Sequence, residues 1–147
     1  MVVTHFTPSY ESARRLIEAG IPFALHTRWL GGAHAQTVMG IDERTRWAVV
    51  REPSFPRFVE TDLDELRGRM PSLAHRGLAM VPRGGPHEEA LGGLGLADRE
   101  VLDRLHVIEL RLLKGDQRGA DAAFAELKAF APEHDATLLA IADEAAT

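Results

Sequence analysis

The feature that most constrains this chain is a change of texture across Arg83–Ala97, RGGPHEEALGGLGLA. Before it come short alternating segments rich in Val, Thr, Phe and Trp. After it the residues are mostly Ala, Leu, Glu and Asp, with apolar positions at helical spacing. Gly84, Gly85, Pro86, Gly92, Gly93 and Gly95 crowd the stretch between. So many helix-weakening residues mark a joint, not the interior of an element. The expected organisation is therefore a mixed region over residues 1–83, a linker over 84–97 and a helical region over 98–147.

In the first region the punctuation is legible. Thr7-Pro8 ahead of Tyr10, Ala13, Leu16 and Ile17 predicts a helix starting at Thr7 with one apolar stripe, and Gly20 predicts its stop. Ile21–His26 reads as a strand, with Pro22 tolerable near its beginning. After Gly31-Gly32, residues Ala33–Ile41 form a second strand in which His34, Gln36 and Val38 share a face. Asp42–Thr45 is a polar turn, and Arg46–Arg51 is the returning strand of a hairpin. Arg57–Glu60 is expected as a short strand. Thr61 followed by Asp64 predicts a capped helix through Leu63, Leu66 and Met70. Gly77–Val81 makes a final strand. This order predicts an α+β fold, a mostly antiparallel sheet with flanking helices.

In the second region, Val101, Leu102, Leu105, Ile108 and Leu112 place one helix over Arg99–Leu113. Lys114-Gly115-Asp116 breaks it, and Ala120–Phe130 follows as a second helix ended by Pro132. His134–Ala146 offers a third. Connections this short force antiparallel neighbours, so a small helical hairpin region is expected.

Composition excludes several chemistries. The 147 residues include no cysteine, hence no disulfide, no thiolate metal site and no thiol nucleophile. A hydrophobic fraction of 45% and a charged fraction of 27% suit a soluble globular protein. No apolar run approaches the ~20 residues that a membrane helix needs. A net charge of -5 argues against a nucleic-acid partner. No signal peptide is visible at the N-terminus, so the default location is cytoplasmic. His26, His75, His87, His106 and His134 lack metal-ligand spacing, so neither a metal nor another cofactor is expected.

One histidine stands out by its setting. His34 lies in GGAHAQTVMGID, just after a glycine pair, and the hairpin it opens returns through RWAVVREP to bring Glu52 alongside. A four-residue turn with a regular ladder pairs Ile41 with Arg46 and His34 with Pro53, which points Glu52 away from His34. A three-residue connection or a bulge shifts the pairing by one, sets His34 opposite Glu52 and brings the two onto one face. Both registers remain open at this point. If the two meet, the carboxylate orients the imidazole and stabilises its protonated form, as acid/base chemistry requires.

These pieces resemble a known family. GIPFAL after a helix, HAQTVMGID, VVREP, a short helix and GLAMVP are similar, in order and spacing, to the C-terminal half of the bacteriocin-processing, papain-like cysteine peptidases. The likeness covers Phe6–Val81, about half of the chain. It implies half of a papain-like fold, with His34 in the place of the catalytic base, Gly40–Asp42 in the place of a Gly-x-Asp, and Glu52 in the place of the orienting aspartate. The family's nucleophile lies in a helical lobe that would precede Met1, and no cysteine here replaces it. A base without a nucleophile has nothing to activate for acyl transfer, so His34 and Glu52 are expected to be vestigial as catalysts.

The segment LLKGDQRGADAAFAELKAFAPEH resembles one degenerate tetratricopeptide repeat, with a Gly-Asp turn, then Ala120, Phe124 and Pro132. A single repeat cannot bury its own face, which implies packing on the first region, on more repeats or on a partner. The leading expectation is a non-catalytic, peptidase-like module that binds a peptide or protein partner, with Trp29 and Gln36 as contact residues beside His34 and Glu52. Two alternatives stand next to it. One is a fragment of an active cysteine peptidase whose nucleophile lies upstream or on another chain. The other is a structural domain that self-associates to cover an open apolar face.

Overall fold

The computed structural model describes residues 1–29, 32–69, 75–134 and 137. The chain divides into two compact units, Met1–Ala97 and Asp98–Thr147. Among the described residues no helix is long and apolar enough to cross a membrane.

The first unit is α+β. Its elements run β1 (Val2–Phe6), α1 (Tyr10–Glu18), β2 (Phe23–Trp29), β3 (Gly32–Asp42), β4 (Trp47–Arg51), β5 (Phe58–Thr61), α2 (Leu63–Arg69), β6 (Arg76–Val81) and α3 (Pro86–Gly93). The six strands form one open sheet in the order β1-β6-β2-β3-β4-β5, and every neighbouring pair is antiparallel. Alternation along the strands sends Phe6, Phe23, Leu25, Val38, Ala48, Val50, Ala79 and Val81 into the core. Leu16, Leu63 and Leu91 meet them from α1, α2 and α3.

Helix α1 begins at Ser9, not at Thr7. The Ser9 hydroxyl accepts from the Ser12 N–H at 3.1 Å and the Ser12 hydroxyl accepts from the Ser9 N–H at 2.8 Å, a reciprocal cap. Thr7 instead donates its N–H to the Ala97 carbonyl. At the other end Gly20 takes φ +71°, its N–H reaches the Ile17 carbonyl, and the Ile21 N–H reaches that of Leu16 at 2.8 Å. That is a Schellman stop, closed by the buried pair Leu16 and Ile21.

Three further differences from the sequence reading have local causes. Strand β1 is followed at once by the Thr7-Pro8 signal, but it becomes a strand only by pairing with the distant β6, Val2 beside Val81. Helix α2 is capped by Asp62, whose carboxylate accepts from the Asp64 and Glu65 N–H groups at 3.0 and 2.9 Å, while Thr61 ends β5. Met70 lies outside the described residues. The expected linker contains α3: Pro86 stands in its first turn, Glu88 and Glu89 favour its N-terminus, and Leu91 and Leu96 join the core. Gly84 and Gly95, at φ +75° and +58°, bracket that helix.

The second unit contains α4 (Arg99–Leu113) and α5 (Gln117–Phe130). Val101, Leu102, Leu105 and Ile108 of α4 close over Ala120 and Leu127 of α5. Arg111 meets Asp116 at 3.3 Å across the turn, while Arg104 lies 4.0 Å from Glu126 and over the Phe130 ring at 4.4 Å, as an antiparallel hairpin places them. Asp116 caps α5 by accepting from the Gly119 N–H at 2.9 Å. The third helix expected over His134–Ala146 falls mostly outside the described residues; Thr137 is helical.

Candidate functional site

The β3–β4 hairpin builds the site, and a bulge decides its register. Asp42 pairs with Trp47 across a four-residue loop, and Ile41 and Gly40 follow in step with Ala48 and Val49. Beyond Gly40 the ladder shifts: Val38 pairs with Val50 and Thr37 with Arg51, which leaves Met39 as the extra residue. The cause lies in the core. Ile41 packs against the cluster that holds Ala48, Val38 and Val50. Two residues lie between Val38 and Ile41 but only one between Ala48 and Val50, so one residue must be expelled. Met39 is half exposed.

The loop itself is tied down. The Asp42 carboxylate accepts from the Arg44 and Thr45 N–H groups at 2.8 and 3.3 Å, and the first of these bonds does most to lower its pKa. Arg46 takes φ +60° and lays its guanidinium 4.0 Å from the Tyr10 ring centroid. The loop therefore docks on the start of α1, which packs on β3 and β4.

With that register set, Glu52 emerges from the end of β4 on the face of Gln36 and His34. His34 Nε2 lies 2.8 Å from Oε1 and 2.7 Å from Oε2 of Glu52. The Gln36 amide donates to Oε2, and the Ser54 N–H donates to Oε1 at 2.9 Å. Held by the Ser54 amide first, then by Gln36 and His34, the Glu52 carboxyl is lowered to about 2, against the opposing effect of burial. It is an anion at neutral pH, so the His34 nitrogen facing it carries a proton, and in the neutral ring Nδ1 is the acceptor.

The site lies where the helix-covered face of the sheet opens. Along β3 and β2 burial falls from Val38 to His34 and from Phe23 and Leu25 to Thr27, which pairs with His34. Glu52 is 5% exposed, whereas the His34 side chain is 28% exposed. An incoming group therefore meets the imidazole and not the carboxylate behind it.

The structure thus brings together His34, Gln36 and Glu52 of the residues picked from the sequence. Trp29 ends β2, paired with Gly32, and its side chain lies outside the described residues. Two groups were missed. The Ser54 N–H is an i+2 donor to the preceding acidic side chain, a turn pattern detectable in Glu52-Pro53-Ser54. Thr27 becomes identifiable only once the β2–β3 register is known. Among the described residues no group of three His, Asp or Glu is placed to hold a metal ion. Compared with protein-family models, curated proteins and solved structures, the chain finds no match.

Proposed function

We propose that the first unit is a papain-like half-fold working as a non-catalytic module that binds a peptide or protein segment at the His34 end of its sheet. In this reading the second unit is a tetratricopeptide-like hairpin that adds contact surface. The observation that carries it is the preassembled His34–Gln36–Glu52 cluster on the open margin of the sheet, in a chain that has no cysteine. Such a cluster offers one oriented imidazole backed by an anion and flanked by backbone, which suits hydrogen bonding to an extended peptide. It supplies no nucleophile of its own for acyl transfer.

The test is titration with a pooled library of extended peptides, read by tryptophan emission and by calorimetry. Saturable binding that weakens at least tenfold in His34→Ala supports the reading. Equal binding by wild type and His34→Ala, or none by either, counts against it.

A second reading has one specific observation in its favour: the imidazole–carboxylate geometry is the one a thiol-activating base needs. In that case His34 serves a cysteine carried upstream or by another chain. Reading the coding DNA before Met1 tests the upstream version. An in-frame stretch encoding helices and a cysteine supports it, and an in-frame stop codon removes it.

A further inference from the structure

Gln36 faces the site, yet its amide is engaged by Glu52. We infer that Gln36 is a positioning residue for His34, acting through Glu52: it holds the carboxylate in the one orientation that keeps the imidazole proton on Nε2. This deepens the peptide-site reading, because it fixes the tautomer of the imidazole at that site.

A glutamate side chain has three torsions, so a single anchor leaves its carboxylate free to turn. Here the anchors are distributed. Oε1 takes the Ser54 N–H and Oε2 takes the Gln36 amide, while His34 Nε2 lies within 2.8 Å of both oxygens. Without Gln36, the carboxylate keeps the imidazole and Ser54 but loses the anchor on β3, and it can rotate about its Ser54 bonds. The imidazole then loses the symmetric partner that pins its proton.

Gln36 is well placed for this task because its own position is determined twice. It pairs with Leu25 of β2, a fully buried core residue, and the Met39 bulge sets the face it shows to β4. The second anchor cannot drift, since it is backbone: Ser54 follows Pro53, whose ring restricts the turn.

NMR tests this without any ligand, so a failure to find a binding peptide leaves the result intact. In the wild type the Gln36 side-chain amide resonances should titrate together with the Glu52 carboxyl carbon, and the His34 Nε2 proton should be protected from exchange. In Gln36→Leu the Glu52 midpoint should rise by ~1 pH unit as one hydrogen bond to the charged form is lost, and the Nε2 proton should broaden into solvent exchange. Gln36→Glu should raise the apparent midpoint further, since two carboxylates then share the site. A residue with only a packing role would lower the melting temperature and leave these signals where they were. An unchanged Glu52 midpoint and Nε2 proton in folded Gln36→Leu overturn the inference. If that variant does not fold, the wild-type titration decides alone: Gln36 amide signals that ignore the Glu52 titration overturn it.

Discussion

Gly77 is the position where one added methyl group should do the most damage. It lies in β6 between Phe6 of β1 and Leu25 of β2, directly paired with both. The Phe6 ring covers it. A Cβ built on Gly77 would stand 2.5 Å from Cε2 and 2.6 Å from Cε1 of that ring, and within reach of Cζ. Ordinary carbon contacts lie near 3.5–4.0 Å, so the ring must retreat by about 1 Å. It has nowhere to go, since Phe6 is fully buried and meets Phe23 edge-on at 5.2 Å. Overpacking of this kind costs ~1–3 kcal/mol, and disturbing the aromatic pair adds up to ~1 kcal/mol. The lower backbone entropy of alanine in the unfolded chain returns ~0.5–1 kcal/mol. The net expectation for Gly77→Ala is destabilisation by about 2 kcal/mol, a loss of roughly 8–16 °C for a unit of this size. Trp29 and Trp47 both belong to the first unit, so thermal unfolding followed by tryptophan emission reads that unit. Phe6→Leu removes the ring edge and makes room. The double variant should therefore be at least ~1 kcal/mol more stable than the sum of the single effects predicts. Strict additivity, or a neutral Gly77→Ala, would refute the packing argument.

Other expectations follow from the site and its supports. Glu52 is a carboxyl lowered from 4.5 to about 2, so its stabilising contribution is complete above pH ~4.5 and is lost as pH falls toward 2. Glu52→Gln should flatten the acid limb of stability against pH without abolishing it, because Glu11, held low first by Arg14 and then by Arg15, titrates in the same window. An unchanged limb would contradict the assignment. Deleting Met39 should restore a regular β3–β4 ladder, leave stability within about 1 kcal/mol of wild type, and keep the low Glu52 midpoint; a midpoint back near 4.5 would show that the bulge itself builds the site. Glu52→Asp should lose the His34 contact, visible as loss of protection of the Nε2 proton. Ser9→Ala should cost ~1 kcal/mol through the α1 cap, whereas Thr7→Ala should leave that cap intact; chemical denaturation distinguishes the two.

Much of this fold is legible in the sequence because its punctuation is strong. Gly20 closes α1, and Lys114-Gly115-Asp116 parts α4 from α5. What stays hidden depends on distant partners or on competing local signals. Val2–Phe6 becomes a strand because β6, some 75 residues later in the chain, supplies its ladder. Thr7 and Ser9 are both plausible caps by residue type, and the reciprocal bond to Ser12 selects Ser9. The glycines around α3 read as a linker until Leu91 is seen in the core, because a single buried leucine leaves almost no periodicity to detect.

The site shows the same division. His34 and Glu52 can be picked by residue type and hairpin arithmetic, but whether they meet depends on one residue of register. The chain uses a four-residue loop, which by itself would turn Glu52 away, and then cancels the error with the Met39 bulge. One more step along that ladder sets Glu52 beside Gln36, with His34 as its diagonal neighbour. Diagonal positions on a sheet are ~7–8 Å apart at the backbone, further than directly opposed ones. A glutamate spans that offset better than an aspartate by one methylene. The glutamate and the bulge are therefore coupled: the register sets the carboxylate two residues along β3 from the histidine, and the longer side chain closes the gap. Gln36, level with Glu52, donates to the same carboxylate oxygen that lies 2.7 Å from His34 Nε2.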